Sequence, residues 1–123
     1  MNKLDQAEAL KLRTKQFAIR IVGVVRFLPR TREGDVIGKQ LLRCGTAVAA
    51  NYRAVCRSRS KAEFISKISI VVEEADETVF WLELLADTGV VPAEKLSLLL
   101  KEANELLAIC AASLSTAKNN RNA

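Results

Sequence analysis

Apolar residues recur along most of this chain at alternating steps of three and four, with polar residues between them. On a helix of about 3.6 residues per turn that spacing gathers the apolar side chains into one stripe. The first stripe is Leu10, Thr14, Phe17, Ile21, Val24 and Leu28, which predicts a helix over about 4–28, stopped by Pro29. A charged loop over 30–34 follows. Asp35 is the expected N-cap of a second helix reaching about Arg57, with Ile37, Leu41, Cys44, Val48, Tyr52 and Val55 turned inward. Ser60 followed by Glu63 fits a capping box for a third helix that runs to about Asp87. That helix buries Phe64, Ile68, Val71, Ala75, Val79, Leu82 and Ala86, and Gly89 is placed to end it. Pro92 fits the first turn of a fourth helix, whose stripe is Leu96, Leu99, Ala103, Leu106, Cys110 and Leu114. Its end is expected to fray as a tail over about 117–123.

Four helices of similar length with short joints predict an all-α fold, an antiparallel up-down-up-down four-helix bundle forming a single domain over 1–123. Composition agrees. Half of the residues are hydrophobic but only 5% are aromatic, and Gly and Pro are scarce, a mixture that favours helix over sheet. No uncharged run approaches the roughly 18–20 residues that span a bilayer. Charges at Lys3, Asp5, Glu8 and Lys11 interrupt any signal-peptide core. Cys44, Cys56 and Cys110 are odd in number and lack framework spacing, so reduced thiols in a cytoplasmic protein are expected.

Charge changes the picture more. Residues 1–67 hold 15 of the 19 Lys+Arg and 5 of the 14 Asp+Glu, a balance of +10. Residues 68–123 hold 4 against 9, a balance of −5. Such polarity suits a polyanion partner, or self-assembly in which basic and acidic faces meet. On the second helix Lys39, Arg43, Thr46, Ala50, Arg53 and Arg57 fall within roughly 80° of one another. The row continues into Arg59 and Lys61. Its cations, spaced along about 27 Å of helix, can follow a phosphate backbone, and the planar fork of arginine suits phosphate oxygens. The alternative is a solvated face partly paired with glutamates of a neighbouring helix. No aromatics are interleaved to stack single-stranded bases.

The third helix has more apolar residues than one core face uses. Ile70, Phe80, Trp81 and Leu84 lie off its inner stripe, which would leave them near the surface of a monomer and points to an oligomer interface. The alternative is a broad helix buried on two sides. On the second helix Gly45 and Ala49 leave room for another helix to come close.

Catalytic signals are sparse. The chain has no histidine, which removes Ser-His-Asp and Cys-His catalysis and histidine-containing metal motifs. Cys44 and Cys56 are about 18 Å apart along one helix and cannot share a metal; Cys44 and Cys110 read as core. Glu73, Glu74 and Glu77, with Glu102 and Glu105 a helix later, resemble the magnesium-binding carboxylates of all-α nucleoside triphosphate pyrophosphatases. The second pair ends in Glu where that family has Asp. No metal, cofactor or catalytic residue is expected.

The ordered set Gly38-Lys39-Gln40-Leu41-Leu42-Arg43, Ala50-Asn51-Tyr52-Arg53, Arg59-Ser60, Glu63-Phe64, Lys67 and Glu74-Ala75-x-Glu77-Thr78-x-x-Trp81-Leu82 resembles the S23-type proteins. These are encoded in intervening sequences of bacterial 23S ribosomal RNA genes and elsewhere in bacterial genomes. The resemblance spans about residues 10–115. It implies an antiparallel four-helix bundle assembled as a ring-like homopentamer. The set is also similar to the accessory variability protein of diversity-generating retroelements, which implies binding of nucleic acid and, by analogy alone, of a reverse transcriptase. The expectation is a non-enzymatic homo-oligomer that binds structured RNA or DNA nonspecifically through Lys39, Arg43, Arg53, Arg57, Arg59 and Lys61. Ile70, Phe80, Trp81 and Leu84 would lie between subunits. The alternatives are a protein-interaction scaffold whose charged faces serve assembly, and a magnesium-dependent pyrophosphatase.

Overall fold

The computed structural model describes residues 2–120. It contains four helices, α1 (Lys3–Phe27), α2 (Arg32–Val55), α3 (Lys61–Asp87) and α4 (Ala93–Asn119). Each start has a local cause. The side-chain oxygens of Asn2, Thr31 and Ser60 accept the backbone N–H of Asp5, Gly34 and Glu63 at 2.8, 3.0 and 3.0 Å, each satisfying a donor that the first turn leaves without a partner. The expected cap at Ser60 is therefore present. The expected cap at Asp35 is not. Thr31 takes that role, and Arg32, Glu33 and Gly34 are helical rather than loop. Gly34 permits this tight entry, because a Cβ there would lie 2.3 Å from the Pro29 carbonyl oxygen.

The stops are equally local. Leu28 is extended ahead of Pro29, as the proline ring requires of the residue before it. α3 ends at Asp87 with Thr88 as its C-cap, and Gly89 then adopts φ +74°, where a side chain would be strained. Pro92 is the N-cap of α4 rather than a residue of its first turn, and it gives no side-chain hydrogen bond. The expected frayed tail is helical through Asn119; its last residues, 121–123, lie outside the described part.

Joints of a few residues turn each helix back on the one before it. Consecutive helices pack side by side, and α4 returns to α1 along a shorter seam. Among the described residues no Cα of α1 comes within 8 Å of one in α3, nor of α2 within 8 Å of one in α4, so the diagonal helices meet only through core side chains. The result is the expected antiparallel bundle. Two apolar clusters fill it. One gathers Phe17, Ile21, Leu41, Leu82, Leu85, Leu96 and Leu106 with neighbours from all four helices. The other gathers Val48, Tyr52, Val55, Ile68, Val71, Ala75 and Cys110, and α1 reaches it through the half-buried Leu10. All six residues of the predicted α2 stripe are buried. Thr78 and Leu85 join the core beyond the predicted α3 stripe. The Thr78 hydroxyl donates to the Glu74 carbonyl at 2.7 Å, which removes the cost of burying it.

Burial pushes the Cys44 thiol above its ordinary value and the Cys110 thiol up to about 11. Both behave as small apolar core groups. Cys56 is exposed. Among the described residues no helix is long and apolar enough to cross a membrane.

Candidate nucleic-acid interface

The six cations of the expected stripe do not form one face. Arg43 reaches across to α3. Its Nη1 meets Glu74 Oε2 at 3.0 Å, its Nη2 pairs with Glu77, and its Nε lies 3.4 Å from Gln40 Oε1. Glu77 also accepts the indole N–H of Trp81 at 3.1 Å. The Trp81 bond, followed by Arg43, lowers the Glu77 carboxyl below its ordinary value, and the Glu77 bond raises Arg43. Arg43 thus joins two helices. Lys61 turns the other way, and its ammonium donates to the Asn120 carbonyl at the end of α4, where the exposed carbonyls favour a cation. Lys39 is exposed one turn before Arg43, beside Arg26, Arg30 and Asp35 around a shallow hollow of about 420 Å³.

The other three converge. Arg53 and Arg57 from the end of α2, Arg59 from the joint and Lys67 from α3 line a cleft of about 400 Å³ whose floor is Ala50 and Ala54. Among the described residues Glu63 is the one carboxylate lining it. Among the described residues none of these four cations lies within 4.0 Å of a carboxylate oxygen. Four unpaired cations against one carboxylate make a concave site of positive potential that suits phosphate oxygens. Lys67 is the residue that the stripe on α2 could not include, since it sits on another helix. Its spacing one turn after Glu63, near the start of α3 and opposite the end of α2, is the signal that locates it.

The acidic pattern on α3 and α4 does not come together. Glu74 and Glu77 face α2 and hold Arg43, while Glu102 and Glu105 face α1 and hold Arg13. Among the described residues no group of three or more Cys, Asp or Glu is placed to hold a metal ion. Magnesium chemistry at those carboxylates would need them on one face, and they lie on opposite seams.

Arg13 is the stronger bridge. Its Nε and Nη2 meet the two oxygens of Glu102 at 2.7 and 2.6 Å, and Nη2 meets Glu105 at 3.1 Å. This fork-to-carboxylate geometry spans the short α1–α4 seam. The bond from Arg13 holds Glu102 below the ordinary carboxylate value of 4.5. A carboxylate lowered in the folded state adds stability above its unfolded value and loses it as pH falls through the folded one. Thermal melts are therefore expected to be flat from pH 7 to about 5 and to fall below about 4.5, with Glu77 and Glu102 contributing. Arg13→Gln should lower stability by about 1 kcal/mol at pH 7, kept modest by solvent screening, and should shrink the acid loss. A melt that instead changes between pH 8 and 6 would contradict this assignment.

The apolar surplus on α3 is divided. Phe80 is 52% and Ile70 37% exposed. Trp81 and Leu84 are half-buried and pack on the first core cluster, so the bundle itself absorbs part of what the stripe left outside. The Phe80 and Trp81 rings meet edge to face at 4.9 Å and 73°. Gly45 is used inside the protomer, where Ile21 of α1 lies against it.

The comparisons with known proteins agree with this architecture. No curated protein matches the chain in sequence. A crystal structure of a protein of unknown function from the S23 ribosomal protein family of Bacteroides thetaiotaomicron VPI-5482 superposes with a TM-score of 0.81 at 33% identity, covering 89% of this chain and 97% of that one. The family model for the 23S rRNA-intervening sequence protein matches residues 9–112, which include all of α2 and α3, most of α1 and α4, and every residue of the cleft. The chain belongs to the 23S rRNA-intervening sequence protein family.

Proposed function

We propose that the protein is a homo-oligomeric helical bundle, a ring of five as the resemblance implies, that holds structured RNA or DNA by its phosphates. The observation that carries this reading is the cleft itself, where Arg53, Arg57, Arg59 and Lys67 converge over small side chains without carboxylate partners. Helix α2 presents two of the four a turn apart, and the α2–α3 joint folds the rest toward them. Three of the four are arginines, whose forks bind phosphate at two oxygens. The site has no aromatic platform and no device for reading base edges, so it supplies affinity rather than sequence choice. Copies of the cleft on one rigid assembly would add avidity to a weak individual site. Arg43 and Lys61 serve the fold in this reading, and Lys39 lies at the far end of α2.

Fluorescence anisotropy of a labelled, structured ribosomal RNA fragment at two salt concentrations tests it. Binding should weaken steeply with salt. Arg57→Glu with Arg59→Glu should weaken it by about 10- to 100-fold and lower the salt slope by about 2, one for each lost phosphate contact. Arg43→Gln should leave affinity within a factor of about 2, because its side chain is already held by Glu74 and Glu77. Unchanged binding by the double variant would refute the cleft and leave the charged faces as assembly surfaces.

A further inference from the structure

The outer face of α3 carries Glu73, Asp76, Phe80, Glu83 and Asp87, all exposed. At 100° per residue they fall within roughly 80° of one another. Among the described residues none of the four carboxylates is in an ion pair. In their midst Phe80 stands 52% exposed. It is braced edge-on by Trp81, whose indole is anchored to Glu77 and through it to Arg43. A single aromatic ring, held from behind and ringed by free negative charge, is a knob.

A matching hole lies elsewhere on the same molecule. Between α1 and α2 runs an open groove of about 850 Å³. Its floor is Leu12 with the small side chains Thr46, Ala49 and Ala50, and Lys11, Lys15 and Arg53 stand along its rim. Glu8 also lines it and is paired with Lys11 at 3.2 Å. Leu12 is 57% exposed. Its volume has room for a turn of helix together with one large side chain.

We infer that the acidic, Phe80-centred face of α3 seats in the basic-rimmed α1–α2 groove of a second copy of this chain. The inference rests on the homo-oligomer reading above and specifies its contact. Sign and shape agree on both sides. An apolar ring meets an apolar floor, and four free carboxylates meet Lys15 and the Lys11–Glu8 pair, with Arg53 shared between the groove and the phosphate cleft. α3 is diagonal to α1, so knob and hole lie on different sides of one protomer. The contact is head to tail, and such contacts repeat around an axis until they close a ring.

Charge exchange within the full-length chain tests the pairing by sedimentation velocity. Lys11→Glu with Lys15→Glu makes the groove acidic, and Asp76→Lys with Glu83→Lys makes the knob basic. Each double variant alone, confirmed helical by circular dichroism, should need about tenfold or more protein to assemble. A chain carrying all four reversals should assemble at the wild-type concentration, because in a ring of any number each reversed face then meets its complement. Phe80→Ala should weaken assembly without altering any charge. The pairing is overturned if either double variant assembles like the wild type, or if the chain with all four reversals does not recover. Loss of RNA affinity in the groove variant with unchanged sedimentation would assign the groove to nucleic acid instead. A wild-type protein that sediments as a monomer at every concentration would remove the homo-oligomer reading itself, whereas a wild-type oligomer insensitive to both reversals removes only this contact.

Discussion

Phe17→Ala is expected to lower the free energy of unfolding by about 3–5 kcal/mol. Phe17 is 2% exposed and belongs to the larger core cluster with Ile21, Leu41, Leu82 and Leu106. Truncation removes most of a phenyl ring's transfer free energy and leaves a cavity among side chains that are themselves fully buried. Collapse around the hole is restricted. α1 is held to α2 by the close approach at Gly45 and to α4 by the Arg13–Glu102 fork. Because a domain of this size is stable by only about 5–15 kcal/mol, the variant would lose a large share of its margin. Urea unfolding followed by far-UV circular dichroism should show a lower midpoint with an unchanged slope. Phe80→Ala, measured where the protein is dissociated, should cost only about 1 kcal/mol, from the half-covered ring and its edge contact with Trp81. Equal losses at the two phenylalanines would overturn the assignment of Phe17 to the core and of Phe80 to the surface.

Gly45→Val has the second largest expected cost, about 3 kcal/mol. A Cβ at Gly45 would lie 2.7 and 2.8 Å from the Cγ2 and Cγ1 of Ile21 and 3.2 Å from its Cβ. These are the near atoms of a branched side chain with 0% exposure, so a rotamer change cannot make room. Either α1 moves away from α2 or Ile21 leaves its well. Helix propensity pulls the other way, since glycine in a helix interior is about 0.8–1.0 kcal/mol worse than alanine. That gain is too small to offset the clash. Gly23→Ala isolates the propensity effect, because a Cβ there meets nothing within 4 Å. It should stabilise by roughly 0.5–1 kcal/mol. Thermal melts of the two variants should therefore move in opposite directions. A stabilised Gly45→Val would mean that the helices are not in close contact at this point.

Reading the chain alone finds elements well and partners poorly, and particular residues explain why. Ser60 is legible as a cap because its partner, the Glu63 N–H, is three residues away. Near the start of α2 two residues can cap, Thr31 and Asp35, and the choice depends on how tightly the chain turns after Pro29. The deciding contact, between Gly34 and the Pro29 carbonyl, is a matter of backbone geometry rather than residue type. Arg43 looks the same in sequence as Arg53 and Arg57, one more cation on the outer face of α2. Whether it faces solvent or carboxylates depends on the rotation of α3, which brings Glu74 and Glu77 alongside. Lys67 joins the cleft for the same reason, and Arg13 finds Glu102 across 89 residues of chain. Trp81 and Leu84 read as surplus on a wheel centred on one inner stripe. α3 is flanked by both α2 and α4, so its buried arc is wider than one stripe.

The amino-acid sequence by itself determined the four helices, the cap at Ser60, the stops at Pro29 and Gly89, the inward stripes and the division into a basic and an acidic half. Those features rest on interactions within a few residues, or on a periodicity that any helix imposes. Tertiary structure alone decided which cations stay free. Two of the six expected ones, Arg43 and Lys61, are spent on α3 and on the end of α4. The open cleft was assembled from Arg53, Arg57, Arg59 and a lysine of another helix. The physical reason is that a charged side chain's availability is set by what stands opposite it, and in a bundle that is fixed by the rotation and register of packed helices.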